Sequence, residues 1–340
     1  ARCELEAFVR EVDETAAEMG IAFLGLGFHP FSDFHRIDAV PKHRYKIMAP
    51  YLGHRGHLAH GMMKATAGCQ INLDYSSEDD AMEKMRVAMG VSSLVTAMCA
   101  NSPLARGKES GFLSLRSHIW MHTDPDRCGL LPFVFRDQAR FSDYADYALG
   151  VPMLFVVREG RWIDMTACTF RSFLEGGFRG LSATLDDWEL HLTTLFPEVR
   201  LKSWLELRGS DSGPPDMILA QATLWKALLY DQRARRAAWR LVAGASPEQR
   251  LAFHRAVPRS GLHAKLAGRP AMELALELLE IAQEPLPPDE IALLDPLVRT
   301  VRERRRTPAE DILSHWSGAW AHDPRRLVAS LAPDPRPRGT

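Results

Sequence analysis

Residues 201–215 read LKSWLELRGSDSGPP, and their alternation sets Lys202, Trp204, Glu206 and Arg208 on one side of an extended chain, with Leu201, Leu205 and Leu207 on the other. A period of two with apolar residues on one side is the pattern of a half-buried strand, and the segment from Gly209 to Pro215 supplies a turn that stops it. A carboxylate and a guanidinium two residues apart therefore point the same way. Taken alone, that pair reads equally well as a surface ion pair.

Two further stretches share the design. In residues 68–75, GCQINLDY, the polar Gln70, Asn72 and Asp74 alternate with Ile71, Leu73 and Tyr75. In residues 112–121, FLSLRSHIWM, Ser114, Arg116, His118 and Trp120 alternate with Leu113, Leu115 and Ile119. Three strands with one polar face each predict an antiparallel sheet whose second face is available to solvent or ligand. That face offers carboxylate, amide, imidazole and guanidinium groups. Arg116 and Arg208, held on strands, suit a carboxylate or a phosphate, so an anionic ligand fits better than an apolar one.

Around this sheet the sequence predicts helices. Residues 4–19 have helical spacing and end at Gly20; IAFLGLGF then reads as a buried strand. Gly25 and Gly27 invite a dinucleotide reading, but Pro30 stands where the third glycine belongs and no helix follows. Three basic residues surround Tyr45 in PKHRYKIM, which leads into a loop carrying His54, His57 and His60, without the helical spacing of a metal site. Ser76-Ser77 followed by Asp79-Asp80 caps a methionine-rich helix that runs to about Ala100, and its Met82, Met85 and Met89 stripe reads as core. MLFVV, Glu159-Gly160 and RWIDM form a hairpin. A helix capped by Ser142 precedes it, and a capping box from Asp186 to Glu189 follows. From Met217 to Ala243 the chain reads as one long helix, and Ser246-Pro247 and Thr307-Pro308 as further helix starts, with Pro285 to Pro288 as a linker. Residues 1–215 thus form an α+β sheet region and 216–340 a helical part of the same unit.

The 340 residues carry 42 Lys plus Arg against 43 Asp plus Glu, a balance that gives no general attraction to nucleic acid or an anionic membrane. No apolar run reaches the roughly 20 residues of a membrane helix. The five cysteines, Cys3, Cys69, Cys99, Cys128 and Cys168, are odd in number and widely spaced, which predicts reduced thiols and a cytoplasmic protein.

The chain resembles the plant-type glutamate-cysteine ligases in the runs FLGLGFHP, PKHRYKIM, CQINLDYSSE, ANSP, GFLSLRSHIW, TDPDR with LPFVF, DYALGVPM, HLTTLFPEVRLKSWLELRGSDSGP and RTPAEDIL, in that order. The resemblance implies a glutamine-synthetase-like α+β fold: a curved antiparallel sheet with helices on one face and a helical C-terminal part. It also implies ATP-dependent joining of the γ-carboxyl group of glutamate to cysteine through an acyl phosphate, the first step of glutathione synthesis, with Mg2+ as cofactor. Glutamate, cysteine and ATP are then the partners, and a homodimer is left open.

By the same resemblance Glu206 is assigned as a magnesium ligand with Gln70 beside it, and Arg208 as the phosphate-facing cation. Arg116 is assigned to the glutamate α-carboxylate, Arg44 to a substrate or nucleotide phosphate, and Asn72 and His118 to substrate binding. Three departures from the family pattern stand out. The upstream acidic strand of the type GTEHEKF and the ELSGAP-type segment do not appear, so the expectation is an N-terminally truncated chain. KATAGCQ stands where relatives have RTCTVQ, and Trp162 where they carry Tyr. Rival readings are a γ-glutamyl ligase for another amine and a catalytically impaired or regulatory remnant.

Overall fold

The computed structural model describes residues 2–332. Helix Glu78–Met98 is its axis. Ser77 caps it, its side chain accepting from the Asp80 amide, while Glu78, Asp79 and Asp80 place negative charge at the positive end of the helix. Met82, Met85 and Met89 are 5%, 0% and 1% exposed, so the methionine stripe is core. Helices Gln232–Val242, Pro247–Ser260 and Ala271–Gln283 pack on this axis. One apolar cluster runs without interruption from Leu73 through Leu205 and Leu228 to Val301.

The remaining architecture is mixed, with small sheets rather than one large one. The largest has three antiparallel strands, in the order Ile71–Leu73, Leu205–Leu207, Val199–Leu201. Its registers set Asn72 opposite Glu206 and Arg200 opposite Glu206, so these three form one cross-strand row. Ile71, Leu207 and Val199 form a row on the other face, and Leu207 and Val199 are fully buried in the core.

Residues 201–215 are therefore not one long strand. The chain reverses at Lys202 to Trp204, where the Lys202 amide donates to the Trp204 carbonyl, and period-two patterning cannot see such a reversal because it keeps its parity around the turn. The expected strand at 112–121 is instead helix Leu115–Met121, capped by Ser114, whose hydroxyl accepts from the Ser117 amide. A short run of alternating residues fits one helical turn as well as a strand, and here the serine cap decides.

Other expectations resolve similarly. The Phe155–Arg158 and Arg161–Asp164 hairpin forms as read, with Glu159 and Gly160 both at positive φ, the turn type that matches strand twist. IAFLGLGF is extended but pairs only through a bridge from Phe28 to Thr66. His54 and His60 lie on helices Tyr45–Arg55 and Ala59–Ala65 rather than in a loop. The capping box before helix Leu185–Leu192 is Thr184 with Asp187, two residues from where the sequence placed it. Ser142 lies inside helix Phe141–Gly150, whose first turn is closed by Asp143 accepting from the Arg140 amide. The long helix after Pro215 is two, Pro215–Tyr230 and Gln232–Val242, divided at Asp231, which caps the second.

Candidate active site

Glu206 is 3% exposed and lies among three cations. Arg200 Nη2 donates to both of its carboxylate oxygens, at 2.7 and 3.0 Å, Arg208 Nη1 donates at 2.8 Å, and Lys202 Nζ reaches around the turn to Oε2. Burial alone would raise the Glu206 pKa, but the hydrogen bonds from Lys202 and Arg200 and the charges of Arg200 and Arg208 outweigh it and hold the carboxyl below its usual range. One negative charge thus faces three positive ones, and the row is electropositive. Asn72 ends the same row and is exposed.

Arg208 extends beyond this row with its guanidinium against two rings, 5.2 Å from the Trp120 centroid and 5.4 Å from that of Phe196. Burial, joined by the nearby Arg200 charge, brings its pKa down to about 10, so it stays protonated at neutral pH. Arg116, on the short helix, donates from Nη1 to the Gly209 carbonyl at 2.7 Å and from Nη2 to the Arg208 carbonyl at 2.8 Å. Among the described residues its Nε finds no acceptor although the side chain is buried, and the buried indole N–H of Trp120 finds none either. Arg116, Trp120, Phe196, Glu198, Arg208 and His254 line one narrow cleft that is partly open to solvent.

Beneath the cleft, Asp211 is 1% exposed and accepts three hydrogen bonds: from the Asn101 amide at 2.8 Å, the Ser102 hydroxyl at 2.7 Å and the Ser114 hydroxyl at 2.8 Å. It ties the ANSP loop and the cap of the Arg116 helix to the GSDSGP segment. Gly25 and Gly27 lie against this segment: a β-carbon on Gly25 would fall 2.5 Å from the Pro214 nitrogen, and one on Gly27 2.7 Å from the Asp211 β-carbon. The two glycines permit close backbone approach rather than nucleotide binding.

The structure brings Glu206, Arg208 and Arg116 together, with Asn72 at the end of their row. Arg116 and His118 sit on a helix, contrary to the expected strand. His118 stacks on Phe112, with centroids 3.9 Å apart, and beside His122 at 4.3 Å; burial and the His122 charge lower its pKa to about 4. Arg44 is exposed at the start of helix Tyr45–Arg55, its guanidinium 5.2 Å from the Tyr45 ring centroid. Gln70 is exposed just before the first strand.

Magnesium takes oxygen ligands, usually one or two carboxylates with water and phosphate. Among the described residues no group of three or more His, Cys, Asp or Glu side chains could hold a metal ion. Glu206 already accepts from three cations, whose surplus positive charge would repel a divalent ion, so Glu206 and Gln70 as they stand do not suit magnesium. Sequence reasoning missed Glu198, His254, Arg200 and Asp211. Arg200 was hidden by the unforeseen hairpin, and Glu198 and Asp211 lay inside quoted motifs with no pattern marking them. His254, on a helix distant in sequence, left no signal.

Buried cations and spare N–H donors thus line a cleft beside a small antiparallel sheet backed by helices, in a protein of mixed helix and sheet. Comparison with known proteins then places it: the chain belongs to glutamate-cysteine ligase family 2, which it matches over residues 1–330. It is 42% identical over 323 residues to the chloroplastic glutamate-cysteine ligases of Brassica juncea and of Arabidopsis thaliana, and 41% identical over 323 residues to chloroplastic glutamate-cysteine ligase B of Oryza sativa subsp. japonica. The alignments cover 93% of this chain and 63%, 62% and 65% of those proteins, so the chain spans a little under two thirds of their length.

These names overturn the cytoplasmic expectation, since the relatives are chloroplastic enzymes. The five cysteines are unpaired, but free thiols fit any reducing compartment and do not identify one. Among the described residues no helix is long and apolar enough to cross a membrane.

Proposed function

We propose that the chain carries out the glutamate-cysteine ligase reaction: ATP phosphorylates the γ-carboxylate of glutamate, and the amine of cysteine displaces phosphate to form the amide. The observation that carries this reading is the cleft itself, where two buried guanidiniums and two orphaned N–H donors converge on one space. Glutamate, ATP and the transferring phosphoryl group are anionic. Phosphoryl transfer needs positioning and neutralisation of charge more than covalent help from the protein. Arg208, fixed by Glu206 and by two aromatic faces, supplies a preorganised positive charge for the phosphoryl oxygens. The free Nε–H of Arg116 and the indole N–H of Trp120 supply directed donors for a substrate carboxylate. Asn72 and His118 are assigned to substrate binding, and Arg44 to a substrate or nucleotide phosphate.

Magnesium belongs to the family's chemistry with ATP, but no step is assigned to it here because the described residues do not form its site. The three-stranded sheet is read as the floor of the glutamine-synthetase-like curved sheet. Residues 1–215 and 216–340 act as one unit, a reading supported by the shared apolar core. Phosphate release from ATP, measured with glutamate in the presence and absence of cysteine, tests the proposal. Cysteine-dependent release is the expected result, and none at saturating ATP and magnesium overturns it.

A further inference from the structure

Among the described residues Glu198 is the one carboxylate lining the cleft, and the ligase reading leaves it without a task. It stands between the bridge to Gly129 and the first strand of the hairpin, and its backbone is fixed: its amide donates to the Gly129 carbonyl at 3.0 Å and its carbonyl accepts from the Arg208 amide at 3.1 Å. Its side chain is 11% exposed. Any β-carbon at Gly209 would strike this carboxylate, so glycine there leaves it room beside the cation-bearing strand.

Behind it lies His254, 5% exposed, with Nε2 at 4.0 Å from Glu198 Oε1. The other ring nitrogen, Nδ1, is 3.0 Å from the hydroxyl of Ser93, itself 4% exposed on the central helix. Burial holds His254 below its ordinary pKa, against the pull of Glu198, so the imidazole is neutral at neutral pH. Carboxylate, imidazole and hydroxyl are thus neighbours, the imidazole and hydroxyl at hydrogen-bond distance and the carboxylate 4.0 Å from the ring.

Resting on the ligase reading, we infer that Glu198 is the general base that takes a proton from the ammonium group of the acceptor amino acid, with His254 and Ser93 packed behind it. An ammonium has no lone pair and cannot attack an acyl phosphate. One N–H bond of the ammonium breaks, its proton passes to a Glu198 oxygen, and the electron pair stays on nitrogen. The nitrogen then bonds to the acyl carbon as the carbon–oxygen bond to phosphate breaks, and the second proton it sheds passes to the departing phosphate, which leaves as hydrogen phosphate. The proton on Glu198 is returned to solvent at the open side of the cleft. The same carboxylate attracts the ammonium before the transfer, opposite the guanidiniums that hold the anionic groups, so the cleft is complementary to a zwitterion.

The test replaces the acceptor with hydroxylamine, whose nitrogen is already unprotonated at neutral pH and needs no base. In Glu198→Gln, cysteine-dependent phosphate release should fall by about 100-fold or more, in the range found on removing a general base, while ATP- and glutamate-dependent hydroxamate formation stays at the wild-type rate. Unchanged turnover with cysteine, or equal loss of both reactions, overturns the inference. If Glu198→Gln does not fold, Glu198→Asp carries the same comparison: a partial loss with cysteine and none with hydroxylamine is expected, and equal losses overturn it. Absence of hydroxamate in the wild type overturns the ligase reading, and this inference with it.

Discussion

The Nη2 group of Arg116 holds the backbone carbonyl of Arg208 at 2.8 Å, so one guanidinium fixes the strand end from which the other projects. With the second bond, to Gly209, two carbonyls beside the cleft depend on a single side chain. Arg116→Lys keeps the charge but not the fork, and leaves at least one buried carbonyl unpaired. Stability should fall by about 1–3 kcal/mol, and the KM for glutamate should rise. Thermal melting and steady-state kinetics read the two effects separately.

Arg208→Gln removes the charge proposed to face the transferring phosphoryl group while leaving Arg200 and Lys202 on Glu206. Loss of one preorganised donor should lower kcat by about 100-fold or more. Stability should fall as well, since Arg208 is one partner of the buried cluster on Glu206, and kcat is therefore compared on the folded fraction. An unaltered kcat would place Arg208 outside the transition-state contacts.

Glu206→Gln leaves three cations facing a neutral amide. Removing one partner from a buried ionic group typically costs about 3–5 kcal/mol, so this variant should be strongly destabilised. The pH dependence follows from the sign of the shift. The carboxyl is held below its unfolded range, so its contribution is fully present above the unfolded pKa of about 4.3 and is lost as pH falls through the folded value. The stability gap between wild type and Glu206→Gln, measured by denaturant unfolding, should therefore be widest above about pH 5 and narrow in more acidic buffers.

Gly27→Ala would drive a methyl group into the Asp211 side chain. Overpacking of this kind costs about 1–3 kcal/mol, and because Asp211 caps no helix itself but anchors Ser114, which does, activity should fall with stability. Asp211→Ala should do the same by abandoning three hydrogen bonds. Comparing the two variants by melting and by phosphate release tests whether the glycine acts through the aspartate.

The parts of the molecule visible in the sequence were those governed by local chemistry. Helix caps at Ser77, Ser246 and Thr307, the Glu159-Gly160 turn and the methionine stripe all rest on interactions within a few residues. Glu206 and Arg208 were legible as a pair sharing a face because strand parity survives the hairpin. What surrounds Glu206 was not, since Arg200 reaches it only after the chain reverses. Arg116 was singled out by its residue type and by family resemblance, although its element was misread, because alternation over seven residues does not separate a strand from two turns of helix. Glu198 and His254 meet only through tertiary packing of a loop and a distant helix, and no local pattern could join them.

The Asp211 anchor also bears on the order in which the molecule forms. Its three donors lie 97 to 110 residues away along the chain, so its bonds cannot close until the segments carrying them have been delivered. Neighbouring helices such as Pro215–Tyr230 and Gln232–Val242 need no such delivery. The cleft should therefore assemble late in folding and exchange with solvent earlier than the central helix, a ranking that hydrogen exchange at the Asn101 amide, set against amides of helix Glu78–Met98, would record.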